Sequence, residues 1–125
     1  MNSREKGKRV ERQFRDLLRE HGFNAYRGQQ FCGIAGNGDI ICKALPIHWE
    51  VKGVEKLNVY KAWEQAERDA AGESDVTASI PVVSHKKNGT DFFVTLKAGT
   101  FLEILRRSDL VEGNYIGNTS GNTEP

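Results

Sequence analysis

The sequence predicts an α/β fold, helices packed on a mixed β-sheet in the order α-β-β-β-α-β-β-α. Three observations carry that prediction. Residues 3–21 repeat apolar side chains at helical spacing. "DIICKA" and "IHWEVKGV" read as neighbouring strands, the second with clear alternation. A further helical pattern at 59–71 runs into a hairpin pattern, so helices and strands interleave along the chain. A length of 125 residues, with 38% hydrophobic and 28% charged composition, suits one domain with one core.

The first helix places Val10, Phe14, Leu17, Leu18 and His21 on one stripe, and Gly22 is its natural stop. Arg4, Lys8, Arg12, Arg15 and Arg19 share a neighbouring stripe, with Glu5, Asp16 and Glu20 on another side. Glu11 falls at the seam between apolar and basic faces, an odd place for a carboxylate unless something there requires one. "FNAYRGQQF" reads as a short strand opening into a loop, and "GNG" as a turn before "DIICKA". In "IHWEVKGV" alternation puts Ile47, Trp49 and Val51 on one face and His48, Glu50 and Lys52 on the other.

Asn58 is the expected cap of the second helix, Gly72 its end, and Tyr60, Trp63, Ala66 and Ala70 its expected packing face. Residues 78–99 read as a hairpin turning at Asn88-Gly89 through a type I′ turn, with Pro81 pushing its strand to an edge or a late start. Thr100 and Glu103 suggest a capping box for the last helix. The Gly/Asn/Thr-rich segment 113–125 reads as a disordered tail, which leaves 1–112 as the domain.

Charge is uneven along the chain. Residues 1–30 carry eight Lys or Arg against four Asp or Glu, a balance of +4; the remainder carries ten against thirteen, a balance of −3. The basic end is where a polyanion would be met. No run of eighteen apolar residues exists and the N-terminus has no apolar signal region, so a cytoplasmic protein without a membrane span is expected. Cys32 and Cys42 fit neither a disulfide framework nor a zinc site, and reduced thiols are expected.

The stretch "GNGDIICKALPIHWEVKG" holds the chemistry. Taken singly, Asp39 is an ordinary turn residue, and Glu50 with Lys52 an ordinary solvated pair of little energetic value. Together they are harder to dismiss: Asp39 heads one strand, and Glu50 and Lys52 share a face of the next. Paired strands would bring all three to one end of the sheet. Two carboxylates are hard oxygen ligands suited to Mg²⁺, and a neighbouring ammonium would offset charge on a phosphate. That combination suits hydrolysis of a phosphodiester.

The spacing D-x₁₀-E-V-K resembles the signature of the PD-(D/E)XK nucleases. "GKRVERQFRDLLREHGFNAYRG", "GDI" and "WEVK", in that order, look like the archaeal-type Holliday junction resolvases and their phage relatives, over roughly residues 4–107. The resemblance implies a restriction-endonuclease-like core, Mg²⁺ as cofactor with Mn²⁺ able to substitute, branched or duplex DNA as partner, and a homodimer.

Residue by residue, it implies Asp39 and Glu50 as metal ligands, the Val51 carbonyl completing the shell, Lys52 as the catalytic lysine, and Glu11 beside the metal. Arg27 matches the arginine that follows the first helix and contacts phosphate. The pattern departs from the family at Gly38, which stands where the proline of "PD" is usual, and in the loop "GQQFCGIAG", where Gln29, Gln30 or backbone N–H groups would grip phosphate.

Lys8, Arg12 and Arg15 are the expected DNA contacts on the helix stripe, and Gln65 a secondary candidate that the helical wheel places away from the packing face. His85, Lys86 and Lys87 at the hairpin turn read as solvated. The expected activity is that of a metal-dependent endonuclease acting on Holliday junctions. A flap, fork or duplex nuclease of the same superfamily, and an inactive DNA-binding module, are the alternatives.

Overall fold

The computed structural model describes residues 3–28, 40–72 and 80–111. Its elements are α1 (Ser3–Glu20), β1 (Tyr26–Arg27), β2 (Ile40–Ile41), β3 (Ile47–Gly53), α2 (Val59–Ala71), β4 (Ile80–Lys86), β5 (Phe93–Thr95) and α3 (Ala98–Arg106). This is the predicted order and type of elements, with β1 and β2 shorter than the sequence suggests. The residues group into two compact units, Met1–Thr95 and Leu96–Pro125. Asp39, the 29–38 loop with Cys32, and the 113–125 tail lie outside the described residues.

In the first unit the five strands form one sheet in the order β1-β2-β3-β4-β5. β3 and β4 run parallel, and the other neighbours are antiparallel. A parallel neighbour requires a crossover, and α2 supplies it. β5 pairs only with Val83–His85. Pro81 therefore sits in the part of β4 that has β3 as its one described neighbour, where a missing N–H is tolerated.

The register fixes the two faces. Trp49 pairs with Val82 and Glu50 with Val83, so successive residues of β3 address opposite helices. On one side Phe14 of α1 meets Trp49 with ring centroids 5.0 Å apart, a contact worth about 1 kcal/mol beyond its burial. Val10, Phe14 and Leu18 are the buried residues of that helix. His21, expected on the same stripe, is instead exposed, because it lies past the last helical turn. There Gly22 takes φ 88°. Phe23 N–H reaches back to the Leu18 carbonyl and Gly22 N–H to that of Arg19, a Schellman ending that needs a residue free to adopt positive φ.

On the other side α2 begins where predicted: Asn58 accepts a hydrogen bond from Lys61 N–H at 3.1 Å, and Gly72 closes the helix. Its packing face is rotated from the expected one. Ala62 and Ala66 are buried against Val83, Trp63 is only partly buried, and Tyr60 is 80% exposed. Two small side chains let the helix approach the sheet closely, an advantage that the larger aromatic pattern concealed.

The β4–β5 connection also differs from the prediction. Among the described residues only Gly22 and Gly89 have positive φ, so Asn88-Gly89 is not a type I′ turn, which needs it at both central residues. The loop is held by Thr90, whose Oγ1 accepts from Lys87 N–H at 3.1 Å, and by Glu55, which accepts from Asn88 N–H at 2.7 Å.

In the second unit α3 starts at the N-cap Lys97, with no side-chain cap bond. Thr100 is thus inside the helix and the expected capping box does not form; Glu103 is used by Arg106 and Arg107 instead, at 2.7 and 2.9 Å. The helix has no buried residue, and Phe101, Leu102 and Ile104 are exposed.

Candidate active site

The alternation of β3 delivers His48, Glu50 and Lys52 to the face that α2 covers. Glu50 is only 5% exposed. Its Oε1 lies 3.4 Å from His48 Nε2 and its Oε2 lies 3.8 Å from Lys52 Nζ. Lys52 Nζ donates to Gln65 Oε1 at 3.1 Å. Gln65 and Asp69 stand one turn apart on α2, beside the small residues Ala62 and Ala66 that press the helix onto the sheet. Gln65 therefore faces the site, and is not turned away from it as the helical wheel suggests.

His48, Glu50 and Asp69 bring a ring nitrogen and two carboxylate oxygens within 4.8 Å of one another. At that separation two carboxylates repel by on the order of 3 kcal/mol at an effective dielectric constant of about 20. A place with so little solvent holds both acids best when a cation or a hydrogen-bond donor lies between them. The site thus has hard oxygen donors, a fixed ammonium and a reason to attract a cation.

Sequence reasoning does not single out Asp69 or His48 as site residues. A signal exists for both, since His48 shares the Glu50 face, and the Gln65–Asp69 pair runs parallel to Ala62–Ala66 at the same helical spacing.

Glu11 and Arg27 form a second cluster. Arg27 Nε donates to Glu11 Oε1 at 3.0 Å, and Arg27 Nη2 lies 3.0 Å from the same oxygen. Both bonds fall on one oxygen, and Oε2 has no hydrogen-bond or ion-pair partner among the described residues. Arg27 pairs in register with Ile40, and Ile40 with Trp49, which puts this arginine in the cross-strand row that faces α1. Neither Glu11 nor Arg27 is hydrogen-bonded or ion-paired to Glu50 or Lys52. Val51 is buried in the body of β3.

The basic stripe of α1 is less free than its sequence suggests. Lys8 approaches Glu5 at 3.9 Å and Arg15 pairs with Asp16 at 2.9 Å, because long side chains reach across the wheel. Arg19 donates to the Ala25 carbonyl at 2.8 Å and so ties the helix to β1. Arg4 and Arg12 make no hydrogen bond or ion pair with any described residue. A different basic surface is not visible in the sequence. A cleft of about 220 Å³ beside Gly53 gathers Lys6, Arg9, Lys86 and Lys87 and has no acid in its lining.

A mixed sheet between helices, with Glu-x-Lys on a central strand beside a polar residue of the crossover helix, defines a nuclease of the PD-(D/E)XK class. The family model for the archaeal Holliday junction resolvase (Hjc) matches residues 2–96, and the chain belongs to that family. Its activity is therefore that of a junction-resolving nuclease, a metal-dependent endodeoxyribonuclease. Hjc of Archaeoglobus fulgidus, a Holliday junction resolvase from an archaeal hyperthermophile, has a similar fold. The TM-score is 0.53 and the identity 23%, over 73% of this chain and 72% of that one. No curated protein matches the chain.

Proposed function

We propose that the protein resolves four-way DNA junctions as a Mg²⁺-dependent homodimer in the cytoplasm, with Asp39, Glu50, Lys52 and Glu11 as its catalytic set. The observation that carries this is the chain of contacts Glu50–Lys52–Gln65 on β3 and α2, in a member of the resolvase family. The donor set fits a hard cation: Glu50 offers carboxylate oxygens at a site with little solvent, and Asp69 adds negative charge nearby. Asp39 and Glu50 would hold the ion, the Val51 carbonyl would complete the shell, and Mn²⁺ would substitute for Mg²⁺. When bound, the metal supplies a water of lowered pKa and offsets charge developing at phosphorus.

The chain's own groups supply the rest. Lys52 has three N–H groups, one of which is committed to Gln65. Another points toward Glu50, and the ammonium would orient the attacking water or donate to a phosphate oxygen as its charge grows. Gln65 fixes the ammonium, so the charge does not wander on its four-carbon stem. Arg27 holds Glu11 in place on the side of α1, and its remaining N–H groups suit a phosphate.

DNA arms would be held by Arg12, by Lys8 and Arg15 once phosphate competes for their acidic neighbours, and by the cleft of Lys6, Arg9, Lys86 and Lys87. Such contacts give affinity without sequence preference.

Two cuts on a two-fold junction call for two active sites, and hence for a dimer. The exposed Phe101, Leu102 and Ile104 of α3 are the residues that support a self-association surface. Among the described residues no helix is long and apolar enough to cross a membrane. The test is a competition in which labelled four-way junction, flap, fork and duplex of matched length are offered together with Mg²⁺. Preferred cleavage of the junction is expected; preferred cleavage of another form would reassign the substrate. Sedimentation of the protein at micromolar concentration, with and without Leu102→Glu, checks the dimer.

A further inference from the structure

The proposed chemistry makes no use of the histidine that lies deepest in the site. The His48 side chain is wholly enclosed, while that of Glu50 retains 6% exposure. His48 sits two residues before Glu50 on the same face of β3, with Nε2 3.4 Å from Glu50 Oε1. Lys52 approaches the other oxygen, Oε2. The two neighbours therefore divide the carboxylate between them.

A carboxylate rotates broadly about its last bond, so an unheld Glu50 would sample many planes. It also faces the like charge of Asp69, whose oxygen comes within 4.8 Å of both the imidazole nitrogen and Glu50. Lys52 stands at Oε2, and the group in place to hold Oε1 against that repulsion is the His48 ring.

We propose that His48 is a positioning residue. Its Nε2–H donates to Glu50 Oε1 and fixes the plane of the carboxylate in the orientation that binds the divalent ion. The proposal rests on reading Glu50 as a metal ligand. His48 is not itself the ligand, since its side chain is fully enclosed and a hard cation takes oxygen in preference to imidazole. Partners that orient a metal ligand in this way contribute roughly 10- to 100-fold to metal affinity.

The experiment compares wild type, His48→Gln and His48→Leu, with Glu50→Gln as reference. His48→Gln keeps an N–H donor at about the reach of Nε2, whereas His48→Leu keeps volume and removes the donor. Mn²⁺ binding to the DNA-free protein is followed by electron paramagnetic resonance, alongside the Mg²⁺ dependence of junction cleavage. Melting curves in EDTA establish folding, and should His48→Leu not fold, His48→Met takes its place as a more adaptable donor-free side chain.

The expected result is Mn²⁺ affinity lowered roughly tenfold or more in the donor-free variant and restored to within about threefold in His48→Gln. Junction binding in EDTA stays unchanged, and no nitrogen coupled directly to Mn²⁺ is seen in the wild-type spin-echo spectrum. Equal Mn²⁺ affinity in wild type and the donor-free variant overturns the proposal, and so does a directly coupled imidazole nitrogen. Wild-type Mn²⁺ affinity in Glu50→Gln would instead overturn the metal-ligand reading of Glu50, and the proposal with it.

Discussion

Lys52 Nζ donates to Gln65 Oε1 at 3.1 Å, joining the Glu-x-Lys strand to the crossover helix through one hydrogen bond. The bond gives the Lys52 ammonium a fixed position without neutralising it, since an amide oxygen accepts but carries no charge. Gln65→Ala should therefore lower kcat by roughly tenfold, with junction affinity little changed. Lys52→Ala should cost roughly 100-fold or more, the range typical of a missing electrostatic or proton-transfer group. Single-turnover cleavage of a labelled junction separates the two. Equal losses in both variants would mean that Gln65 acts on substrate directly.

Glu50 should show the opposed demands of stability and function. Its carboxylate is buried near that of Asp69, so Glu50→Gln removes their repulsion while the amide still offers an oxygen to His48 or Lys52. Without metal the variant should melt at or above the wild-type temperature, by up to roughly 4 °C if about 1 kcal/mol is recovered. With Mg²⁺ its cleavage should disappear. A melting temperature in EDTA several degrees below wild type would show that Glu50 is structural.

Gly53 ends β3 against α1. A Cβ placed there would stand 2.5 Å from Val10 Cγ2, and a β-branched side chain has few rotamers with which to withdraw. Gly53→Ala should destabilise the protein by about 1–3 kcal/mol, as overpacking does, and Val10→Ala should recover part of that in the double variant. Denaturant unfolding of the four proteins in the cycle measures the coupling. Strict additivity would place the strain elsewhere.

His85 makes a pH prediction. Its ring nitrogen Nε2 lies 3.0 Å from Thr95 Oγ1, and burial holds its pKa below the usual histidine value. The unfolded chain therefore takes up a proton first as pH falls through about 6.5, and stability drops until the lowered folded value is passed. His85→Gln, which keeps a group able to bond Thr95, should lose less melting temperature between pH 7.5 and 5.5 than wild type. An identical or steeper loss in the variant would contradict this.

Lys86 and Lys87 line the basic cleft with Lys6 and Arg9. If phosphates occupy it, replacing both hairpin lysines by alanine should weaken junction binding. The salt dependence of log Kd should become shallower by about one unit for each phosphate that is no longer neutralised. Cleavage at saturating enzyme should stay near wild type. An unchanged salt slope would leave the hairpin turn as the solvated loop that its composition suggests.

Strand alternation makes the heart of the site readable from sequence: a period of two is enough to put His48, Glu50 and Lys52 on one face. Asn58 and Gly72 likewise mark α2 to the residue, because caps are local chemistry. The rotation of α2 is not readable in the same way. Tyr60 and Trp63 are the largest apolar groups on that helix, yet closeness to Val83 favours alanines, and that preference exists only once the sheet is in place.

Asp69, and the inward orientation of Gln65, are hidden for the same reason, as is the basic cleft, which joins residues some eighty positions apart in sequence. A turn does form at Asn88-Gly89, closed by Thr90 N–H on the Lys87 carbonyl at 3.3 Å, but Asn88 keeps a negative φ, and the bonds from Thr90 and Glu55 hold this other turn type in place.

The role of Glu50 and Lys52 in metal-dependent hydrolysis of a DNA junction is tested most directly by incubating a labelled immobile four-way junction with wild type, Glu50→Gln and Lys52→Ala, each in Mg²⁺ and in EDTA. Wild type in Mg²⁺ should give symmetric cuts in a pair of opposed strands, while EDTA and either substitution should leave the junction bound and intact. Cleavage that persists in EDTA or in Glu50→Gln would contradict the account, as would a wild-type protein that binds the junction in Mg²⁺ and never cuts it.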